Sequence, residues 1–236
     1  NKSLIISLVL ILSFNISKAQ IFSNAIYKDF TICTGLEFAK STKTIQTFEY
    51  NEFLQRKEED VSHYLPQIKF GLGFNTIFSN KFALEWQFTG VFGIEKGITY
   101  NGQLVSGAII EYEMKEKVSA MAINNNIEWA ILGGFEEKFA LCLAPDIGYR
   151  LNFFSTNFEN GIPQNIDKYQ ASWHPYEEKI TMLGFSFRMG ASFQFKLTEF
   201  TSFHTAAKYG FSTSDTDNVR TNGGITFDAG IRIVIY

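Results

Sequence analysis

Gly184-Phe185-Ser186-Phe187-Arg188-Met189-Gly190-Ala191-Ser192-Phe193-Gln194-Phe195 is the stretch that decides the fold. Its odd positions are apolar and mostly phenylalanine, and its even positions hold glycine, serine, arginine and glutamine. A period of two means a β-strand with two unlike faces. The even face is too small and too polar to build a core, so the aromatic face must find its own apolar surroundings. The chain holds 25 phenylalanines in 236 residues, and the same rhythm returns in seven other stretches.

Working outward from that strand, apolar alternation between turn signals predicts eight strands. They lie near Phe30–Ala39, Gln67–Phe78, Phe82–Glu95, Ser119–Leu132, Phe139–Phe153, Leu183–Phe195, Thr201–Phe211 and Gly224–Tyr236. Most are longer than the ~5–6 residues of an ordinary soluble strand and match the ~9–11 that cross a bilayer at a tilt. The connections alternate. Those at 79–81, 133–138 and 196–199 are short, whereas 41–65, 96–117, 155–181 and 212–223 read as long loops. Short turns on one side and long connections on the other define an antiparallel up-and-down transmembrane β-barrel, with short periplasmic turns and long extracellular loops. The short turns share a pattern, Lys81-Phe82-Ala83-Leu84 beside Lys138-Phe139-Ala140-Leu141, with Glu199-Phe200-Thr201 related. Trp86 and Trp129 near the short turns, and Tyr149 and Tyr209 towards the other end, are placed for two interfacial girdles.

Residues 1–19 read as a secretory signal: Lys2, an apolar run from Leu4 to Ile16, then Ser17-Lys18-Ala19 before Gln20. Cleavage after Ala19 leaves 20–236 as the barrel domain, 236 − 19 = 217 residues. Without Lys2 and Lys18, 19 basic residues face 24 acidic ones, a balance of −5 that gives no electrostatic case for nucleic acid. Cys33 and Cys142 fall on opposite strands of a barrel about 16 Å across, far beyond the ~7 Å disulfide limit, so two free buried thiols are expected.

The polar phase gives the interior. Glu37, Lys69, Asp146, Arg188, Lys208 and Asp228 fall at one level near the midplane, with Arg150 further up. Glu85, Glu128, His204 and Arg232 form a second layer nearer the periplasm. Asp228 and Glu37 are expected to neutralise Arg188 and Lys208. Eight strands leave only enough room for side chains to fill the lumen, so the balanced layer reads as a plug.

No metal-ligand spacing, phosphate loop, dinucleotide fingerprint or nucleophile elbow occurs, and no cofactor or metal is expected. Ser202, His204 and Asp228 suggest a triad, but Asp228 is expected about four residues too high and opposite Lys208. Trp173, His174 and Tyr176 in the third long connection are the candidate surface contact, because exposed loop aromatics commonly carry recognition. From Ile110 to Val118 the phase inverts, with Glu111, Glu113, Lys115 and Lys117 on the outer side. Strands three and four are therefore expected to leave the bilayer as a ribbon whose edges can pair with another chain.

The eight-strand rhythm, the Lys18-Ala19-Gln20 signal end and the terminal Gly230-Ile231-Arg232-Ile233-Val234-Ile235-Tyr236 together resemble small outer-membrane β-barrels of the PorT-like and OmpX-like kind. That resemblance implies a Gram-negative outer membrane, contact with its lipids, insertion by the barrel-assembly machinery and no cofactor. The chain departs from the pattern at its end, where isoleucines hold the lipid phase and Tyr236 falls opposite. The leading functional expectation is a structural, surface-interaction or secretion-associated component acting through extracellular loops. A narrow channel or transporter is the alternative, and a lipid-modifying enzyme lacks the outward Ser/His pair it needs.

Overall fold

A computed structural model describes the backbone of residues 25–51, 53–103, 109–166, 171–215 and 219–235, and their side chains except at 43–61, 100–112, 158–177 and 212–223. The expected signal segment, residues 1–19, and Tyr236 lie outside the described residues. Every described element is a strand: β1 Tyr27–Asn51, β2 Phe53–Ser79, β3 Phe82–Gly93, β4 Lys96–Gln103, β5 Ile109–Gly133, β6 Phe139–Leu143, β7 Asp146–Ile166, β8 Ala171–Lys196, β9 Thr201–Asp215 and β10 Val219–Ile235.

These ten make eight staves, because two staves are interrupted. β6 and β7 separate at Ala144-Pro145, where proline has no amide to donate. Trp129↔Leu143 and Asn126↔Asp146 nevertheless belong to one continuous register. β3 and β4 also share the partner β5, with a one-residue slip between Val91↔Ala120 and Lys96↔Glu116. Consecutive staves pair antiparallel throughout, and β1 pairs with β10 from Lys28↔Ile235 to Lys43↔Val219. The sheet closes on itself and leaves no edge around the barrel body.

The three short turns are where alternation places them. In the first two, Phe82 and Phe139 point outward while Ala83 and Ala140 are buried inside, so the shared Lys-Phe-Ala-Leu pattern is one local solution used twice. Gly133 has φ 67°, the left-handed conformation that opens the second turn.

The opposite end differs from expectation. The connections 41–65, 96–117, 155–181 and 212–223 continue the β-ladders: β1 and β2 stay paired to Asn51↔Phe53, and β7 and β8 to Ile166↔Ala171. Outside a membrane both faces of a ribbon meet water, so the hydropathy period disappears while the backbone pairing persists. The expected ribbon of strands three and four is present as β4–β5, paired from Lys96↔Glu116 to Gln103↔Ile109. Its inversion also stands, with Met114 and Val118 buried and Lys117 exposed.

The core is inverted relative to a soluble protein. Phe70, Leu72, Phe88, Phe92, Met121 and Phe227 are about half exposed or more, and Leu183 reaches 69 %. They form a continuous outer coat, with cross-strand contacts such as Phe30–Phe74 at 5.1 Å. Trp129, Tyr149 and Tyr209 belong to the same coat. A surface this apolar demands lipid.

Candidate functional site

Every charged residue assigned to the interior is buried: Glu37, Lys69, Glu85, Glu128, Asp146, Arg188, His204, Lys208, Asp228 and Arg232, and Arg150 with them. The side chains cross-brace the lumen. Arg150 on β7 donates through Nη1 to Glu37 on β1, the opposite wall, and through Nη2 to Gln67 Oε1 at 3.0 Å. Arg232 on β10 spans a second diameter to β5, donating through Nη1 to Glu128 Oε2 at 2.7 Å and to Gln194 Oε1 at 2.8 Å. Shorter links join nearer walls. Lys69 Nζ donates to Asp228 Oδ2 at 2.8 Å, and Asp146 accepts from Arg188 Nε at 2.9 Å and Lys208 Nζ at 3.0 Å.

This pairing corrects the expected one. Asp228 neutralises Lys69 rather than a base on β8 or β9, and Asp146 serves both Arg188 and Lys208. Glu37 belongs to Arg150, with Arg188 Nη1 a longer 3.6 Å from its other oxygen. The reason is Gly35. It is the cross-strand neighbour of both Lys69 and Asp228, and a Cβ there would lie 2.6 Å from Asp228 Oδ1. Absence of that side chain lets Lys69 reach across β1. Likewise a Cβ at Gly210 would lie 2.7 Å from Arg188 Cγ.

In the periplasmic layer, Glu128 Oε1 accepts from Ser192 Oγ at 2.8 Å and lies 3.0 Å from His204 Nε2. Ser202 instead accepts from Gln194 Nε2 at 3.2 Å, and Asp228 is held by Lys69. The structure therefore does not bring Ser202, His204 and Asp228 together. Cys33 and Cys142 are both buried and free; Gln87 Nε2 lies 3.1 Å from Cys33 Sγ. Trp173, His174 and Tyr176 occupy β8 opposite Pro163, Ile162 and Phe158, and their side chains lie outside the described residues.

Two apolar seals flank the charges, and sequence reading missed both. Leu65, Val118, Phe154 and Met182 form a buried layer on the extracellular side. Ile77, Ala83, Ala130, Phe135, Ala140 and Cys142 close the periplasmic mouth against Tyr27. Phe135 comes from the turn rather than a strand, folds under the barrel at 1 % exposure, and offers its carbonyl to Tyr27 Oη at 2.8 Å. Asn80 fastens that turn to its neighbour, accepting from Phe135 N through its carbonyl and from Glu136 N through Oδ1 at 2.8 Å. Lys196 Nζ ties it to the third turn by donating to Glu136 O at 2.9 Å. Alternation cannot register such a turn residue. A Phe135-Glu136-Glu137 turn with its aromatic outside the strand phase was the available signal.

Between the seals, a cavity lined by Glu37, Arg150, Asn152, Ser186, Arg188 and Thr226 measures about 20 Å³, room for about one water. A closed antiparallel barrel with an apolar coat and a charged, filled interior defines a membrane-spanning β-barrel protein.

Neither family models nor curated protein sequences match the chain. Solved structures of bacterial surface and outer-membrane proteins do align. The attachment invasion locus protein Ail of Yersinia pestis aligns at 12 % identity and a TM-score of 0.43, covering 89 % of this chain and 100 % of its own. The outer membrane protease OmpT of Escherichia coli aligns at 10 % and 0.43, covering 89 % and 97 %. Neisserial surface protein A aligns at 11 % and 0.40, covering 86 % and 96 %.

Proposed function

We propose that the protein is an outer-membrane β-barrel of the small PorT-like or OmpX-like kind, whose filled lumen is structural and whose activity lies in the strand extensions on its outer side. The observation that carries this reading is the contrast between the two parts. The interior is braced across two diameters and sealed at both ends, and the cavity among Glu37, Arg150 and Arg188 measures about 20 Å³. Meanwhile β1 and β2 run 25 and 27 residues, more than twice the ~9–11 needed to cross a bilayer. Backbone pairing of that length beyond the membrane supports presentation of a surface to a partner, and the β4 and β8 extensions offer strand edges for it.

Export follows from the signal ending at Ala19, with insertion by the barrel-assembly machinery into lipid. No catalytic role is assigned to any residue. Two measurements test the reading. In planar bilayers the purified protein is expected to give no stable current steps; reproducible open-channel steps would replace the plug with a conduction path. In intact cells, a photo-cross-linking residue at Tyr176 is expected to yield a discrete protein adduct, and capture of lipid alone would remove the surface-partner role.

A further inference from the structure

Five unsatisfied polar atoms gather on one wall of the lumen's periplasmic layer. Asp29 Oδ1, Thr31 Oγ1, both polar atoms of the Asn75 side chain and Glu85 Oε1 are buried without a hydrogen-bond partner. These five atoms belong to the adjacent strands β1, β2 and β3, while His204 Nδ1 on β9 and Arg232 Nε and Nη2 on β10 are also without a hydrogen-bond partner in the same layer. Register makes them neighbours: Asp29 lies opposite Asn75, and Asn75 opposite Glu85. Thr31 lies opposite Gly73, and a Cβ on Gly73 would stand 2.4 Å from Glu85 Oε1. The missing side chain thus leaves a cradle into which the Glu85 carboxylate leans, towards the Thr31 hydroxyl. Exposure is 2 % for Asp29, 1 % for Asn75 and 1 % for Glu85.

The charges in this layer do not balance. Three carboxylates, Asp29, Glu85 and Glu128, face Arg232 and His204, and Glu128 takes the short contacts of both. Glu85 keeps a hydrogen bond from Asn126 Nδ2 at 2.6 Å through Oε2 and only a 3.7 Å approach from Arg232 Nη2. No Lys or Arg contact within 4 Å is found for Asp29 among the described residues. Buried carboxylates require compensation. A buried carboxamide between two carboxylates, with an unpartnered hydroxyl alongside, offers a set of oxygen donors. Hard divalent cations with flexible coordination, calcium above all, take such sets and complete them with water.

We propose that Asp29, Asn75 and Glu85, with the Thr31 hydroxyl, bind one divalent cation of the calcium type just above the periplasmic seal. Asp29 and Glu85 supply the charge, Asn75 Oδ1 a neutral ligand, and Gly73 the space. The site lies two residues above Tyr27 on the same face of β1, so that phenol is placed to sensitise a lanthanide.

The test uses the folded full-length barrel in detergent micelles, with Tb³⁺ as luminescent probe and Ca²⁺ as competitor. One Tb³⁺ per chain is expected, excited through tyrosine and displaced by Ca²⁺. Asp29→Asn and Glu85→Gln should each weaken binding tenfold or more. Gly73→Ala keeps every carboxylate and needs only the flexible end of Glu85 to move, and it should also weaken binding tenfold. Glu116→Gln, a buried carboxylate in the upper lumen, should leave binding unchanged. Heat-modifiable migration on gels verifies that each variant is folded. Absence of stoichiometric binding, with water alone serving these atoms, overturns the site, as does unchanged affinity in Asp29→Asn, Glu85→Gln and Gly73→Ala. Neither result bears on conductance or surface cross-linking, so the two readings fail separately.

Discussion

Arg232 is one of the two arginines that brace the interior across a diameter. Its guanidinium reaches Glu128 and Gln194 across the barrel, and it is 1 % exposed. Removing one partner of a buried ion pair leaves the other uncompensated, at a typical cost of about 3–5 kcal/mol. Arg232→Met is expected to lower stability by that amount in urea unfolding from lipid vesicles. Adding Glu128→Leu should restore part of the loss, because the stranded charge goes with it. On the outer wall the sign of the environment reverses. Phe70 is 53 % exposed in the middle of the lipid coat, and Phe70→Arg is expected to cost about 2–4 kcal/mol in the same assay.

The elements separate into those whose position follows from hydropathy and those held by backbone pairing alone. In the body of each stave, residues such as Phe187 and Arg188 sit against different solvents, so one-residue alternation marks both strand and face. Reading the interior as a face required nothing more. Its pairing was not legible, because which base meets which acid depends on a missing side chain at Gly35 and on reach across a narrow lumen. The long ribbons were illegible for another reason: Lys43↔Val61 to Asn51↔Phe53 is a ladder without an apolar face. Such a ribbon stands apart from the core. Replacing Thr44–Asp60 with an Asn-Gly turn, which suits a two-residue hairpin, is expected to leave the barrel folded, as judged by unchanged heat-modifiable migration. The tight turns behave in the opposite way. A side chain at Gly133, with φ 67° and the Phe139 carbonyl 2.1 Å from the added Cβ, meets both strain and collision. Gly133→Ala is expected to cost about 1–2 kcal/mol or more in urea unfolding.

At the scale of the molecule, the apolar coat makes the bilayer part of the fold, and depth can be measured. Trp129 is 62 % exposed and pairs with Phe82 at the first short turn, so it belongs near a headgroup region. In a Trp86→Phe, Trp173→Phe background, lipids brominated high on the acyl chain are expected to quench Trp129 more strongly than lipids brominated near the chain end. The reverse order would put the short turns elsewhere. The β1–β10 ladder has a further consequence, for time rather than for stability. It joins the first described strand to the last from Lys28↔Ile235 upward, whereas every other stave pairs with a near neighbour in sequence. Loop-closure entropy makes such a distant pairing slow. Hairpin staves can form in sequence, but the wall has an open seam until the last-synthesised strand finds the first. Neither cross-lumen brace to β1 or β10 exists before that moment, so closure of the seam and ordering of the interior are one late event.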